Sequence, residues 1–360
     1  MKVVIIGAGV AGLSIGWKLA EAGVEVLALE RARPARGATW AAAGMIAPTA
    51  ETEHGPQSES EFARWSASLW PKFAAEIEAA SGRAIGYRQD GALIVATNEA
   101  EARELSARSN RTLISAQDIT AREPLLTGSI AGAIWEGEEA QVDNRTLADA
   151  LAAAFMRAGG KLSPNEAGVR VEPESGKLRV HTPFTLHHAD KVLVAAGAWT
   201  SEIEVDEPAL PPIRPVKGEM LALIPPRGVL LPKQVVWGNG VYLVPRDGRL
   251  LVGATVEEVG FDTALTDRAE NWLSDRAIGL MPSLASWEID EHWAGLRPAS
   301  PDGLPVLGET RVPNLFVASG QFRNGILFAP AIAESMSRLI LGLAAPEIRA
   351  FTPQRFAEAL

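Results

Sequence analysis

The chain has no cysteine. Disulfides, thiolate zinc centres and cysteine nucleophiles are therefore excluded. Histidine is also scarce. The five present form no HExxH pattern or other ligand spacing. His187 and His188 are adjacent in a strand-like stretch, where neighbouring side chains point to opposite faces. No metal site is expected. Positive charge is in deficit, with 34 Lys and Arg against 44 Asp and Glu and a net charge of −10. That balance argues against nucleic acid or an anionic membrane as partner. No apolar run approaches the roughly 18–20 residues of a spanning helix. The first apolar residues are needed as a strand, so no signal peptide is expected and the protein is read as cytoplasmic.

At 360 residues, 47% of them apolar and 22% charged, the chain is large for one core, and two domains are the default. Its start is the most informative stretch. An apolar run at 3–6 leads into Gly7-Ala8-Gly9-Val10-Ala11-Gly12, a helical pattern follows to Ala22, and a second apolar run at 24–29 ends on Glu30. This strand, glycine turn, helix and strand match the dinucleotide fingerprint. Gly7 permits the tight turn, Gly9 lets a pyrophosphate approach the backbone, and Gly12 lets the helix sit close to the sheet. The phosphates would rest on free N–H groups at the helix N-terminus, with Val10 and Ala11 in its first turn. Glu30 lies eighteen residues after Gly12, where a carboxylate binds ribose hydroxyls. The motif alone does not separate NAD from FAD.

Further along, 37–48 is dominated by small residues and lets backbone come close to something large and flat. Residues 62–80 carry Phe62, Trp65, Leu69, Phe73 and Ile77 at helical spacing. From Ile85 the grammar changes to short strands at 92–96 and 134–135, with a helix from Asn98 to about 109. A helix at 145–158, capped by Asp143 or Asn144, precedes strands at 169–172, 177–181, 184–187 and 191–195. The proline-rich segment 208–215 reads as a crossing between domains. Strands at 219–224, 235–237, 241–244 and 250–254 are antiparallel by their short loops. A helix at 266–279 and a strand at 289–295 follow. A strand at 315–318 and a helix at 327–341 close the pattern. The expected fold is α/β. A Rossmann-like FAD-binding domain in three pieces, 1–84, 141–214 and 295–360, is interleaved with a mainly antiparallel substrate domain, 85–140 and 215–294.

The glycine fingerprint with Glu30, the stretch from Ala38-Thr39 to Ala43-Gly44-Met45, the strand ending Ala195-Ala196-Gly197-Ala198-Trp199, Gly295-Leu296-Arg297-Pro298, and Gln321-Phe322-Arg323-Asn324-Gly325 occur in that order. Together they resemble the D-amino-acid oxidase family of FAD enzymes and, within it, the glycine-oxidising branch of thiamine biosynthesis. The resemblance implies FAD, oxidation of an amine next to a carboxylate, and molecular oxygen as acceptor. Relatives that link flavin through cysteine have no counterpart here, so the FAD is expected to be non-covalent. The resemblance assigns Glu30 and Arg31 to the adenosine ribose, and Ala38, Thr39, Gly44, Met45 and Ile46 to the phosphates and flavin. It gives adenine to the main chain at Gly168 or Val169, and includes Gly197 in the cofactor set. Gln321, Phe322, Arg323, Asn324, Gly325, Ile326 and Leu327 would open the last helix with its positive end towards the flavin.

Oxidising an α-amino acid by hydride transfer needs position more than acid–base help. No side chain is assigned as acid or base. The substrate carboxylate must be held, and an arginine does so with two parallel hydrogen bonds. Arg297 is the first candidate, with Arg323, the Tyr242 hydroxyl and Met45 beside the substrate. The roles of His292 and Gln321 stay open, and with them substrate size and pH behaviour. The expected partner is a small amino acid, glycine before sarcosine or a D-amino acid. A dehydrogenase, a non-catalytic dinucleotide sensor and a homo-oligomer stay open. If cofactor binding is non-covalent, acid or heat denaturation releases all the yellow colour of the purified protein as free FAD. Colour retained on the precipitated chain would contradict it.

Overall fold

Every residue of the strand Lys2–Ile6 after its first is apolar and buried, so both faces of that strand must be covered. Val3 and Ile5 point into a core built with helices, among them Leu13, Trp17, Phe155 and Ile332. Val4 and Ile6 point the other way, against Val171, Val180 and Val192. The period of two thus dictates three layers. The computed structural model describes residues 1–52, 55–109, 112–205 and 209–356. Its central layer is a six-stranded sheet, in the order Val306–Glu309, Leu315–Ser319, Lys191–Val194, Lys2–Ile6, Glu25–Glu30 and Lys161–Pro164. All pairings are parallel except that of Val306–Glu309 with Leu315–Ser319. Helices Val10–Glu21, Gln57–Ser81, Asn144–Arg157 and Ala329–Ile340 cover one face. A four-stranded sheet running from Arg170–Glu174 to Glu204–Val205 covers the other.

A seven-stranded sheet makes the second body, in the order Glu288–Ala299, Arg214–Ile224, Arg249–Gly253, Val241–Arg246, Val235–Gly238, Ala92–Ala96 and Gly132–Glu136. Only the pairing of Val235–Gly238 with Ala92–Ala96 is parallel. Along Arg214–Ile224, Leu221 and Leu223 join the core under helix Asp267–Leu280. Met220 and Ala222 face the other way, with Tyr242 and Trp293.

Several elements differ from the sequence pattern. The strand expected from 219 starts at Arg214, and the strand expected to stop at 295 runs to Ala299. The two pair along their whole lengths, Pro215 against Pro298, because each proline presents the side that needs no ladder donor. The expected crossing at 208–215 is therefore strand at its end, while Pro208 lies outside the described residues. The last helix starts at Ala329, with Pro330 in its first turn, so 321–327 precedes it as turns rather than opening it. Phe322 there has φ +46°, which no helix accepts. Helix Ala116–Arg122 and edge strand Lys161–Pro164 were without a readable period in the sequence.

The tightest packing is at the first turn. A Cβ on Gly12 would overlap the carbonyl oxygen of Gly7, whereas one on Gly23 meets nothing within 4 Å. Gly12→Ala is therefore expected to destabilise by about 3 kcal/mol or more. Gly23→Ala should cost only the roughly 1–2 kcal/mol of its left-handed backbone. Urea unfolding of both variants measures the difference; equal midpoints would remove close packing as the reason for Gly12.

Candidate active site

One continuous cleft runs from the glycine turn at the C-terminal end of Lys2–Ile6 to the inner face of the seven-stranded sheet. Gly7, Gly9, Val10, Ala11, Glu30, Arg31, Ala38, Thr39, Gly44, Met45, Gly168 and Gly197 line it, as do Gln321, Phe322, Arg323, Asn324, Gly325 and Ile326. Tyr242 and Arg297 stand at the sheet end. Four expected residues do not reach it. Gly12 sits behind Gly7 and serves packing. Ile46 is buried in the helical core. Val169 commits its main chain elsewhere, its N–H to His181 (2.9 Å) and its carbonyl to Glu204 (2.9 Å), which leaves Gly168 on the cleft. The Leu327 carbonyl accepts from Ser66 (2.7 Å) and Trp70 (3.0 Å) and ties the segment to helix Gln57–Ser81.

At the glycine end, Glu30 accepts from the N–H of Ala8 (2.9 Å) and of Ala32 (3.1 Å), so its carboxylate is fixed beside the turn. The Val10 N–H donates to the Thr39 hydroxyl at 3.0 Å, which leaves the later first-turn N–H groups of the helix as anion donors. Arg31 lies over the Trp199 ring at 3.9 Å, and Trp199 stacks on Phe261. The small-residue stretch is pinned from outside. Asn144 donates to the carbonyls of Thr39 (2.9 Å) and Trp40 (2.8 Å), Trp293 donates to Ala41 (3.0 Å), and Arg246 donates to Ala43. Burial pulls the Arg246 guanidinium down to about 10.

At the sheet end, glycines make room for the polar groups. Arg297 lies over Gly218, where a Cβ would overlap both of its terminal nitrogens, and Tyr242 lies over Gly253 in the same way. Arg297 Nη1 donates to the carbonyls of Thr255 (3.0 Å) and Lys217 (3.3 Å). Among the described residues no carboxylate lies within ion-pair distance of Arg297, and burial lowers its pKa. Burial raises the pKa of Tyr242, so its hydroxyl stays a donor; the neighbouring Arg297 side chain acts in the opposite sense, and the Met220 sulfur lies 3.7 Å from the hydroxyl. Arg323 is different: its Nε meets Glu51 at 2.8 Å, and the Glu51 side chain is 7% exposed. His292 is on the opposite face of the sheet, held between Glu219 (2.7 Å) and Glu270 (3.4 Å), while Gln321 is in the cleft.

Glu51, Gly218, Met220, Trp199 and Arg246 were missed by motif reading. Gly218 had a signal, an isolated glycine in a strand pattern, which marks close approach. Glu51 had none, since its partner is 272 residues away.

The chain matches, over residues 2–339, the family described as DAO, FAD dependent oxidoreductase. It is 37% identical to a bifunctional protein ThiO/ThiG of Synechocystis sp. over 98% of this chain and 54% of that protein. The chain thus spans about half the length of such relatives. It is 32% identical to a glycine oxidase of Pseudomonas aeruginosa over 95% of each. The crystal structure of glycine oxidase from Geobacillus kaustophilus superposes with a TM-score of 0.93 at 32% identity, covering 98% of both chains.

The residues present suit FAD. Gly9 leaves open backbone at the helix N-terminus, the nearest atom to a Cβ there being the Thr39 hydroxyl at 3.4 Å. Gln321 Nε2 and Asn324 Oδ1 are buried at the cleft without a partner among the described residues, as groups awaiting a polar ring would be.

Behind the cleft, Glu139 is buried and accepts from the Ala50 N–H at 2.8 Å. Burial pushes its pKa up to about 8, helped by Glu136 and Glu51 and opposed by the N–H groups of Ala50 and Thr49. The folded state therefore holds a proton that the unfolded chain loses near the ordinary carboxylate value of 4.5, and stability should fall as pH rises from there to about 8. Glu139→Gln removes that titration. Its melting temperature relative to the parent is expected to rise progressively between pH 5 and pH 8; parallel curves would contradict the assignment.

Proposed function

The chain belongs to the DAO family of FAD-dependent oxidoreductases, and we propose that it oxidises a small α-amino acid, glycine first, with oxygen as acceptor. In that reaction glycine, oxygen and water give glyoxylate, ammonia and hydrogen peroxide. Bound FAD supplies the two-electron acceptor for the Cα hydrogen and returns the electrons to oxygen. What this chain supplies is position. The single observation that carries the reading is Arg297, a half-buried guanidinium in the cleft with carbonyls on Nη1 and no carboxylate partner among the described residues. A partly desolvated cation without a paired counter-charge is costly, and a substrate carboxylate would neutralise it. Tyr242 adds a second donor.

In this reading Gly9, Val10, Ala11 and Glu30 hold the pyrophosphate and ribose, and Arg31 and Gly168 border the adenosine. Ala38, Thr39, Gly44, Met45, Gly197 and Gln321 to Ile326 surround the flavin. With the carboxylate on Arg297, the amine-bearing carbon is held in the part of the cleft bordered by Met45, Met220 and Tyr242. No group on this chain is assigned the substrate proton; an amine that enters neutral needs none. The fused relative of Synechocystis sp. supports a place in thiamine synthesis as part of the same proposal.

If Arg297 clamps the carboxylate, Arg297→Lys keeps charge but loses the planar fork, and Arg297→Ala loses both. The fall in kcat/KM for glycine is expected to be about tenfold to several-hundredfold, alanine worse than lysine, from roughly 1.5–3 kcal/mol or more per charged pair. FAD content should stay near normal. Steady-state peroxide production from glycine, sarcosine, D-alanine and an amine without a carboxylate measures this. Equal losses on carboxylated and uncarboxylated substrates would make Arg297 structural.

A further inference from the structure

Among the described residues, the substrate end of the cleft holds two guanidinium groups, Arg297 and Arg323, and one carboxylate, Glu51. The arginines are not equivalent. Arg297 has carbonyl partners on Nη1, the Tyr242 hydroxyl beside it and no carboxylate at ion-pair distance among the described residues, whereas Arg323 gives Nε to Glu51 at 2.8 Å and Nη2 to the same carboxylate at 3.4 Å. The Glu51 side chain is almost fully removed from water and Arg323 only partly, so the pair is screened little on the carboxylate side. The segment carrying Glu51 is itself fixed, by the bond from the Ala50 N–H to Glu139 and by the turn bond from the Glu51 N–H to Ala47 at 3.1 Å. The Glu51 carboxylate is thus delivered to Arg323 by a preset backbone.

We propose that Glu51 sets substrate specificity by neutralising Arg323, so that the site offers one free guanidinium and accepts one carboxylate. The inference rests on the amino-acid-oxidase reading and deepens it. With Glu51 in place, the three groups sum to one positive charge, matched by a single substrate carboxylate on Arg297. A substrate with a second carboxylate would set that group against Glu51, and like charges in a buried site repel strongly. Without the Glu51 charge, Arg323 becomes a second anion site. Glycine carrying a carboxymethyl group on nitrogen, iminodiacetate, has the second carboxylate that such a site would hold.

The test uses the holoenzyme, its Glu51→Gln variant and the double variant Glu51→Gln with Arg323→Met. Peroxide production from glycine and from iminodiacetate gives the ratio of kcat/KM values, and competitive inhibition gives the affinities of acetate and malonate. In the parent, malonate is expected to bind no tighter than acetate despite its second charge. In Glu51→Gln, the iminodiacetate-to-glycine ratio and the malonate-to-acetate affinity ratio should each rise by about tenfold or more, the effect of one charged hydrogen bond. Both gains should vanish in the double variant. Unchanged ratios in Glu51→Gln would overturn the proposal, as would gains that persist without Arg323. Malonate binding the parent tenfold tighter than acetate would also overturn it, and that needs no variant to fold. A parent that neither oxidises glycine nor binds acetate would instead overturn the amino-acid-oxidase reading itself.

Discussion

A guanidinium drawn partly out of water, with no carboxylate at ion-pair distance among the described residues, costs free energy to hold. Arg297 is such a group, and much of the seven-stranded sheet is arranged to tolerate it. The strands Arg214–Ile224 and Glu288–Ala299 pair over their full length, so the backbone under Arg297 is rigid. Gly218 clears the space that the guanidinium occupies. The carbonyls of Lys217 and Thr255 stand in for water on one nitrogen. Those carbonyls are fixed in turn from the far side of the sheet. Lys217 pairs with Glu219 at 2.8 Å and Glu257 at 3.4 Å, and the Thr255 hydroxyl binds both the Glu219 N–H and the Glu257 carboxylate. The far face is closed on itself electrically, while the cleft face leaves one positive charge uncompensated. That asymmetry is what a site for a small carboxylate requires.

The rest of the cleft follows from close approach between chain segments that carry little side chain. Gly7 and Gly12 bring the first helix onto the first strand, and the alanines at 41–43 let the seven-stranded sheet come up to the same turn. Trp293, Asn144 and Arg246 hold that stretch by its carbonyls rather than by side-chain packing, because it has few side-chain atoms to pack. A large planar ligand can lie along such a surface with its rim on backbone donors. In the proposed reading, specificity falls to side chains that line the cleft beyond that stretch, Arg297, Tyr242, Arg323 and Glu51.

Much of this was legible in the sequence, for local reasons. The glycine fingerprint with Glu30 carries its own geometry, since turn, helix start and carboxylate are set by spacing along one short stretch. Strands buried on both faces, such as Lys191–Val194, show as unbroken apolar runs. Arg297 could be singled out because two proline- and glycine-flanked arginines stood at family spacing. What escaped notice depends on distant pairing. The strand from Arg214 was hidden by Pro215, which only its partner Pro298 makes acceptable. The pattern put the start of the last helix near Leu327, two residues before Ala329, but assigning 321–327 to its opening fails because Phe322 takes a positive φ. His292, whose role the sequence left open, is set away from the cleft: a strand's alternation puts it opposite Trp293, towards Glu219 and Glu270. Val169 was lost to the cleft by one residue of register, its main chain being used by strand neighbours.

The most direct test is anaerobic mixing of the yellow holoprotein with glycine, and separately with methylamine, while its visible absorbance is followed. If a carboxylate seated on Arg297 is what presents the Cα hydrogen, glycine bleaches the colour in a saturable way that acetate suppresses, and methylamine leaves it unchanged over the same time. Bleaching by methylamine as fast as by glycine would contradict the clamp, and failure of every small α-amino acid to bleach a protein that dithionite reduces readily would contradict amino-acid oxidation altogether.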